Sequence, residues 1–336
     1  MSKKSFFRGT FILTGTGVIS RIIGFFYRIF LSHSIGAQGL GLYQLVLPVQ
    51  SIASAITGSG IQSALSRLIA SKLALGNRRE AWKLFFCGTA SAFLLSAAVS
   101  SLIFRHSVFI AGELLKSPQT APLIRILAFS FPLNTLHTCI NSYYFATKNT
   151  LIPSGLQLLE QIVRVGSSVL MYVVLTSREI PVTAAIAAGG SLASEVAVVL
   201  AGLLLISTVF SGKEYALRNI GDPRQSLLEI FHTSLPLTLD RLLLTLLGSI
   251  EMVLIPRQLQ ASGLSSSDAL SVYGIFTGMA LPLILFPSAV TNSASVLLMP
   301  SVAEMQALGY RKRIRHVTGQ LSLIHISEPT RLDVIS

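Results

Sequence analysis

This sequence predicts an all-α integral membrane protein, and three observations carry that reading. Hydrophobic residues make up 51% of the chain against 12% charged, with a mean hydropathy of +0.67; a soluble domain has about twice that charged share. The apolar residues fall into about eight stretches, each near the roughly 20 residues a helix needs to cross a hydrocarbon core. The basic residues, in excess by a formal charge of +12, sit in short clusters between those stretches. They read as a topology signal and argue against a nucleic-acid partner.

In chain order the predicted spans are 8–32, 39–60, 84–104, 123–146, 156–177, 182–210, 228–255 and 269–300. The first follows a basic start, Lys3, Lys4 and Arg8, but is too long for a signal-peptide core and reads as a retained helix. Gly24, Pro48, Pro132, Pro236, Pro282 and Pro287 lie inside spans and predict bends, because neighbouring helices can satisfy the backbone groups they free. Cys87 and Cys139 lie in apolar stretches without a C-x-x-C or His/Cys grouping, so they read as small packing residues.

Orientation follows from the short loops. Lys and Arg concentrate at the N-terminus, at Arg67 to Lys83, at Lys148, at Lys213 to Arg224 and at Arg311 to Arg315. The alternate loops are poorer, with none at 33–38. The N-terminus is therefore expected in the cytoplasm, and an even span count returns the chain there.

Ala70, Ala74-Leu75-Gly76 and Arg78 recur as Ala303, Ala307-Leu308-Gly309 and Arg311 at a constant offset of 233. Six predicted spans separate the copies. An even number implies a parallel repeat about an axis along the membrane normal. The expected organisation is a six-helix lobe at 1–210, a cytoplasmic linker at 211–226 and the first two helices of a second lobe at 227–320. Leu321 to Arg331 reads LSLIHISEPTR, which looks like the translation of a transposase adapter used in sequencing libraries. Residues 321–336 are accordingly expected to be a scar, with the gene-derived sequence breaking off near Gln320 inside a longer protein.

Charges inside spans are costly and face a bundle interior or a watery cavity, which makes them the functional candidates. Arg21 lies mid-span, and Arg28 follows two turns later on the same face. Guanidinium groups suit phosphate and pyrophosphate. Glu160 and Arg164 stand at i,i+4 with the acid first, the order that favours mutual neutralisation. Glu195 has no evident partner, and Asp240 and Arg241 are adjacent but point in different directions around a helix. Arg21, Arg28, Asp240 and Arg241 are the substrate-binding candidates; Glu160, Arg164 and Glu195 are the coupling or cavity candidates. Glu251 reads as interfacial, and His106 and His137, which lack metal spacing, as polar packing or interface residues.

The chain contains no G-x-x-x-x-G-K-[ST], H-E-x-x-H or G-x-S-x-G motif. Neither catalysis nor a metal or cofactor is expected, and transport would draw on membrane potential, H+ or Na+ gradients, or the substrate's own downhill flow.

Four segments carry a family resemblance: Ser20-Arg21-Ile22-Ile23-Gly24-Phe25-Phe26-Tyr27-Arg28, Gly58-Ser59-Gly60-Ile61-Gln62-Ser63-Ala64, Glu160-Gln161-Ile162-Val163-Arg164-Val165, and Tyr273-Gly274-Ile275-Phe276-Thr277-Gly278-Met279-Ala280-Leu281-Pro282. Over about 1–320 the chain resembles the stage V sporulation protein B branch of the polysaccharide-transport family, within the superfamily of lipid II flippases, O-antigen flippases and multidrug exporters. The resemblance implies about fourteen helices at full length, two lobes around a central cavity and alternating access. It also implies a lipid-linked sugar pyrophosphate as substrate, membrane lipids as surroundings, and a place in cell-wall or spore-cortex synthesis. Arg21 matches the first-helix arginine of the lipid II flippases, and Arg28 falls one residue after their second. Gly39 and Ile52 stand where those proteins carry an acid and a base, and their eighth-helix arginine is missing near Pro282. The expected cavity is thus less positive than theirs. A drug or cation exporter of the same superfamily, an envelope assembly protein without transport, and an intramembrane glycosyltransferase are the competing expectations.

Overall fold

The computed structural model describes residues 3–210 and 223–285, together with 302, 304–306, 308 and 310. The expected scar, most of the linker and most of the second A-L-G copy lie outside these residues. Among them no strand occurs. The helices are α1 (Lys3–Ser54), α2 (Gly60–Ala74), α3 (Arg78–Arg105), the short α4 (Ser107–Phe109), α5 (Ala121–Ala128), α6 (Ser130–Ala146), α7 (Leu151–Ser177), α8 (Ala185–Val209), α9 (Arg224–Ala261), α10 (Ser266–Ile275) and α11 (Leu281–Ile284).

Four stretches are long and apolar enough to cross a membrane: Phe11–Ala74, Arg78–Arg105, Leu151–Ser177 and Ala185–Val209. The pair Pro118–Ala128 and Ser130–Ala146, bent by 44°, makes a fifth if it is one span. The first stretch covers both of the first two predicted spans. The loop expected at 33–38 shrinks to a break at Gly36, whose φ of 72° and ψ of 170° suit a residue without Cβ. Large apolar side chains point outward along α7 to α9, among them Leu170, Val173, Leu204, Leu243 and Leu247. In α7 only 6% of the apolar window is buried, the reverse of a soluble core and the pattern of a surface facing lipid.

The bend between α5 and α6 has a traceable cause. Pro132 has no N–H and cannot bond the carbonyl four residues back. That carbonyl belongs to Ala128, and Ser100 on α3 donates its hydroxyl to it at 2.6 Å. A neighbouring helix thus satisfies the group that proline frees, which lets the bend persist away from water.

Helices α7 and α8 pack side by side, α6 joins α8 to α2 and α3, and α1 lies against α7. The part after residue 223 packs on this first half, α9 along α2 and α3, and α10 across the second part of α1. At that last crossing two glycines meet: a Cβ on Gly274 would lie 2.7 Å from the Gly41 nitrogen and 2.8 Å from the Ala37 oxygen, and one on Gly41 would strike the Leu270 carbonyl. Gly41 and Gly274 are separated by 233 residues. From each glycine a helix runs on to a proline, Pro48 in seven residues and Pro282 in eight. The second of these stretches takes a π turn, Phe276–Ala280, between its glycine and its proline; the first is followed by one after its proline, at Ala55–Ser59. A π turn is the way a helix absorbs one inserted residue.

Candidate functional site

Polar groups gather between α1, α6, α7 and α8. On α7, Glu160 and Arg164 form the i,i+4 ion pair. On α8, Glu195 is only 3% exposed. Its Oε1 accepts from Asn134 Nδ2 at 3.0 Å, and its Oε2 lies 3.6 Å from Nδ1 of His137, one turn further along α6. From α1, Tyr27 reaches Ser168 at 2.8 Å and Tyr43 reaches Ser191 at 3.0 Å. Both serines already donate to backbone carbonyls, of Ile186 and Ala187, so the tyrosines are the donors. These bonds fix α1 against α7 and α8.

Arg28 projects from α1 into this assembly, within electrostatic reach of Tyr43 and of the like-charged Arg164. Among the described residues its half-buried guanidinium makes no hydrogen bond and no ion pair. Arg21, on the same face of α1, lies elsewhere: its Nη1 donates to the Leu285 carbonyl at 2.6 Å, just after α11. There a cation meets the negative end of a broken helix. Asp240 and Arg241 are exposed on α9.

The structure therefore gathers Arg28, Glu160, Arg164 and Glu195, and puts Arg21 against the second half. It also brings in Asn134, which the sequence did not mark, and His137, expected only as a packing or interface residue. The two share a face of α6 at i,i+3, a spacing that could have marked them as a pair. Cys87 and Cys139 are free and buried, in keeping with packing roles. Among the described residues no group of three metal-ligating side chains forms.

One end of the bundle is charged on its surface. Lys72 on α2 pairs with Glu229 on α9 at 3.3 Å, and Lys148, in the turn between α6 and α7, pairs with Glu304. Burial lowers the Lys148 ammonium from its ordinary range. Arg78, Lys148 and Glu304 line a cleft of about 490 Å3 with Trp82, Tyr143 and Phe210. At another place the halves meet through Arg257, which donates to the Leu114 carbonyl at 2.8 Å.

Comparison with known proteins gives this arrangement its family. The family described as "Polysaccharide biosynthesis protein" is matched over residues 6–306. The chain belongs to that family. Within it, the chain is similar to stage V sporulation protein B of Bacillus subtilis (strain 168), at 28% identity over 96% of this chain and 65% of that protein. It is also similar to sporulation protein YkvU of the same organism, at 23% identity over 90% of this chain and 66% of that one. This polysaccharide biosynthesis family member thus spans slightly less than two thirds of either relative. Solved structures share its fold: a mutant of the Vibrio cholerae MATE transporter VcmN, with a TM-score of 0.71 at 16% identity over 93% of this chain and 68% of that one, and a MOP superfamily transporter from Pyrococcus furiosus, with a TM-score of 0.67 at 14% identity over 93% and 67%. The sequence resemblance to the stage V sporulation protein B branch holds. Both solved structures are described as transporters.

Proposed function

We propose that this chain forms the first lobe and the beginning of the second in a flippase for an anionic lipid-linked saccharide, an oligosaccharide or peptidoglycan precursor on a pyrophosphate carrier. The N-terminus lies in the cytoplasm, eight spans cross the membrane here, and the two lobes alternate access in spore-cortex or envelope synthesis. The observation that carries this reading is Arg28: a permanently charged group, half-buried, with no acid answering it among the described residues and a second guanidinium nearby. Such a group in a membrane calls for an anion. Family membership and the similarity to two sporulation proteins support the saccharide and the cellular setting. An exporter of cationic drugs is less well served, because Glu195 is held by Asn134 and lies beside His137.

The test is flipping of a prenyl-pyrophosphate-linked sugar in proteoliposomes carrying the protein at its full genomic length. A charge-assisted hydrogen bond contributes about 1.5–3 kcal/mol, so Arg28→Ala should weaken substrate affinity roughly ten- to a hundredfold. Arg28→Lys should recover a part, because charge survives without the bidentate geometry. Wild-type flipping by Arg28→Ala at normal expression would sink the reading.

A further inference from the structure

The contact between α6 and α8 holds groups that anion binding leaves unused. Glu195 is 3% exposed and His137 7%. Asn134 answers one carboxylate oxygen, while Glu195 Oε2 and His137 Nε2 have no hydrogen-bond partner among the described residues. The 3.6 Å between Glu195 Oε2 and His137 Nδ1 is just beyond a hydrogen bond. A carboxylate this far from water with one oxygen unanswered is costly. A neutral imidazole, with its one hydrogen on either nitrogen, answers Oε2 only weakly at this distance, whereas an added proton on the imidazole makes the contact charge-assisted and draws the two groups together.

We propose that Glu195 and His137 form a proton-binding site whose occupancy is linked to anion binding at Arg28. The linkage rests on the reading of Arg28 as the anion site; the proton site stands on its own geometry. The charged and titratable groups around Glu195 can be named helix by helix. Helix α7 contributes Glu160 and Arg164, already paired. Helix α1 contributes Tyr43, which donates to Ser191 one turn before Glu195, and Arg28, which lies beside Arg164. Helix α5 contributes Arg125, held by Ser107. Helix α6 contributes His137 itself. Arg125 is exposed, and among the remaining groups, with a neutral imidazole, Arg28 and Arg164 balance Glu160 and Glu195. One added proton makes the cluster net positive, which strengthens its hold on an anion at Arg28. By reciprocity the anion draws in the proton. Imidazole and carboxyl groups exchange protons with water under physiological conditions, whereas guanidinium does not. Arg28 therefore stays the fixed charge and the Glu195–His137 pair the variable one. Only an N–H or O–H bond forms and breaks, with bulk water as proton source and sink.

The experiment uses the protein at full genomic length in lipid nanodiscs, with a prenyl pyrophosphate as probe. Infrared difference spectra taken across pH should show a titrating carboxylic-acid band that vanishes in Glu195→Gln, persists in Glu195→Asp and moves to another pH in His137→Gln. In weak buffer, adding the prenyl pyrophosphate should take up protons. Glu195→Gln should abolish uptake while still binding the probe, and Arg28→Ala should lose binding and uptake together. A band unchanged in Glu195→Gln overturns the proton site, as does uptake of Na+ in place of protons. Binding without proton uptake overturns the linkage and leaves the transport reading standing. Failure of the wild type to bind the probe overturns the transport reading, and the infrared titration then decides the proton site alone. Monodisperse elution of each variant keeps these outcomes separate from misfolding.

Discussion

Arg164 keeps its charge at any depth, and Glu160 one turn earlier on α7 answers it. Removing one partner of such a pair leaves an uncompensated charge, whereas removing both leaves apolar surface. Glu160→Ala should therefore destabilise the protein by about 3–5 kcal/mol, and Glu160→Leu combined with Arg164→Leu should stay near wild type. Unfolding in mild detergent measures both, and equal losses would show that the pair does not act as a unit. This pair was legible in the sequence because i,i+4 spacing makes it local. The partnership of Glu195 with His137 was not, since it joins two helices 58 positions apart in the chain. Nor did the face shared by Arg21 and Arg28 reveal their different surroundings: a common helix face fixes direction, while the neighbours are set by which helices pack there.

Hydrophobic length made most helices visible in the sequence, but the span expected at 39–60 is shared between α1, which runs to Ser54, and α2, which continues to Ala74, because helices extend past the apolar core into polar surroundings. The bend near Pro132 was also legible, since proline must free a carbonyl; that Ser100 would receive it depended on packing. The π turns were not legible, because one residue more in a helical turn leaves no local mark in composition or periodicity. The close approach of α10 to α1 yields a sharper test. Gly274→Ala puts a methyl group against backbone, which cannot swing aside as a side chain can, and overpacking of this kind costs about 1–3 kcal/mol. Gly166→Ala on α7, where a Cβ meets nothing within 4 Å, should be neutral or slightly stabilising. If both variants unfold at the wild-type temperature in detergent, the crossing is looser than its geometry indicates.

Across the whole molecule, the topology proposed for the flippase can be read with impermeant thiol reagents. Cys87 and Cys139 are buried and should give little background. In intact cells a cysteine replacing Arg78 should be shielded, and cysteines replacing the exposed Gln38 and Lys116 should react. Labelling of Arg78→Cys from outside would reverse the orientation. The basic loops made this expectation available from sequence, because the Lys and Arg bias acts locally at each span end. The pairing of Lys72 with Glu229 and of Lys148 with Glu304 required the structure, since each joins the two halves across a long stretch of chain.

The meeting of Gly41 with Gly274 reaches beyond mechanics into heredity. A side chain at either position needs room that only the opposite helix could yield, and that helix presents bare backbone. Neither glycine can take a side chain while the crossing holds, so one contact constrains two codons 233 residues apart in the gene.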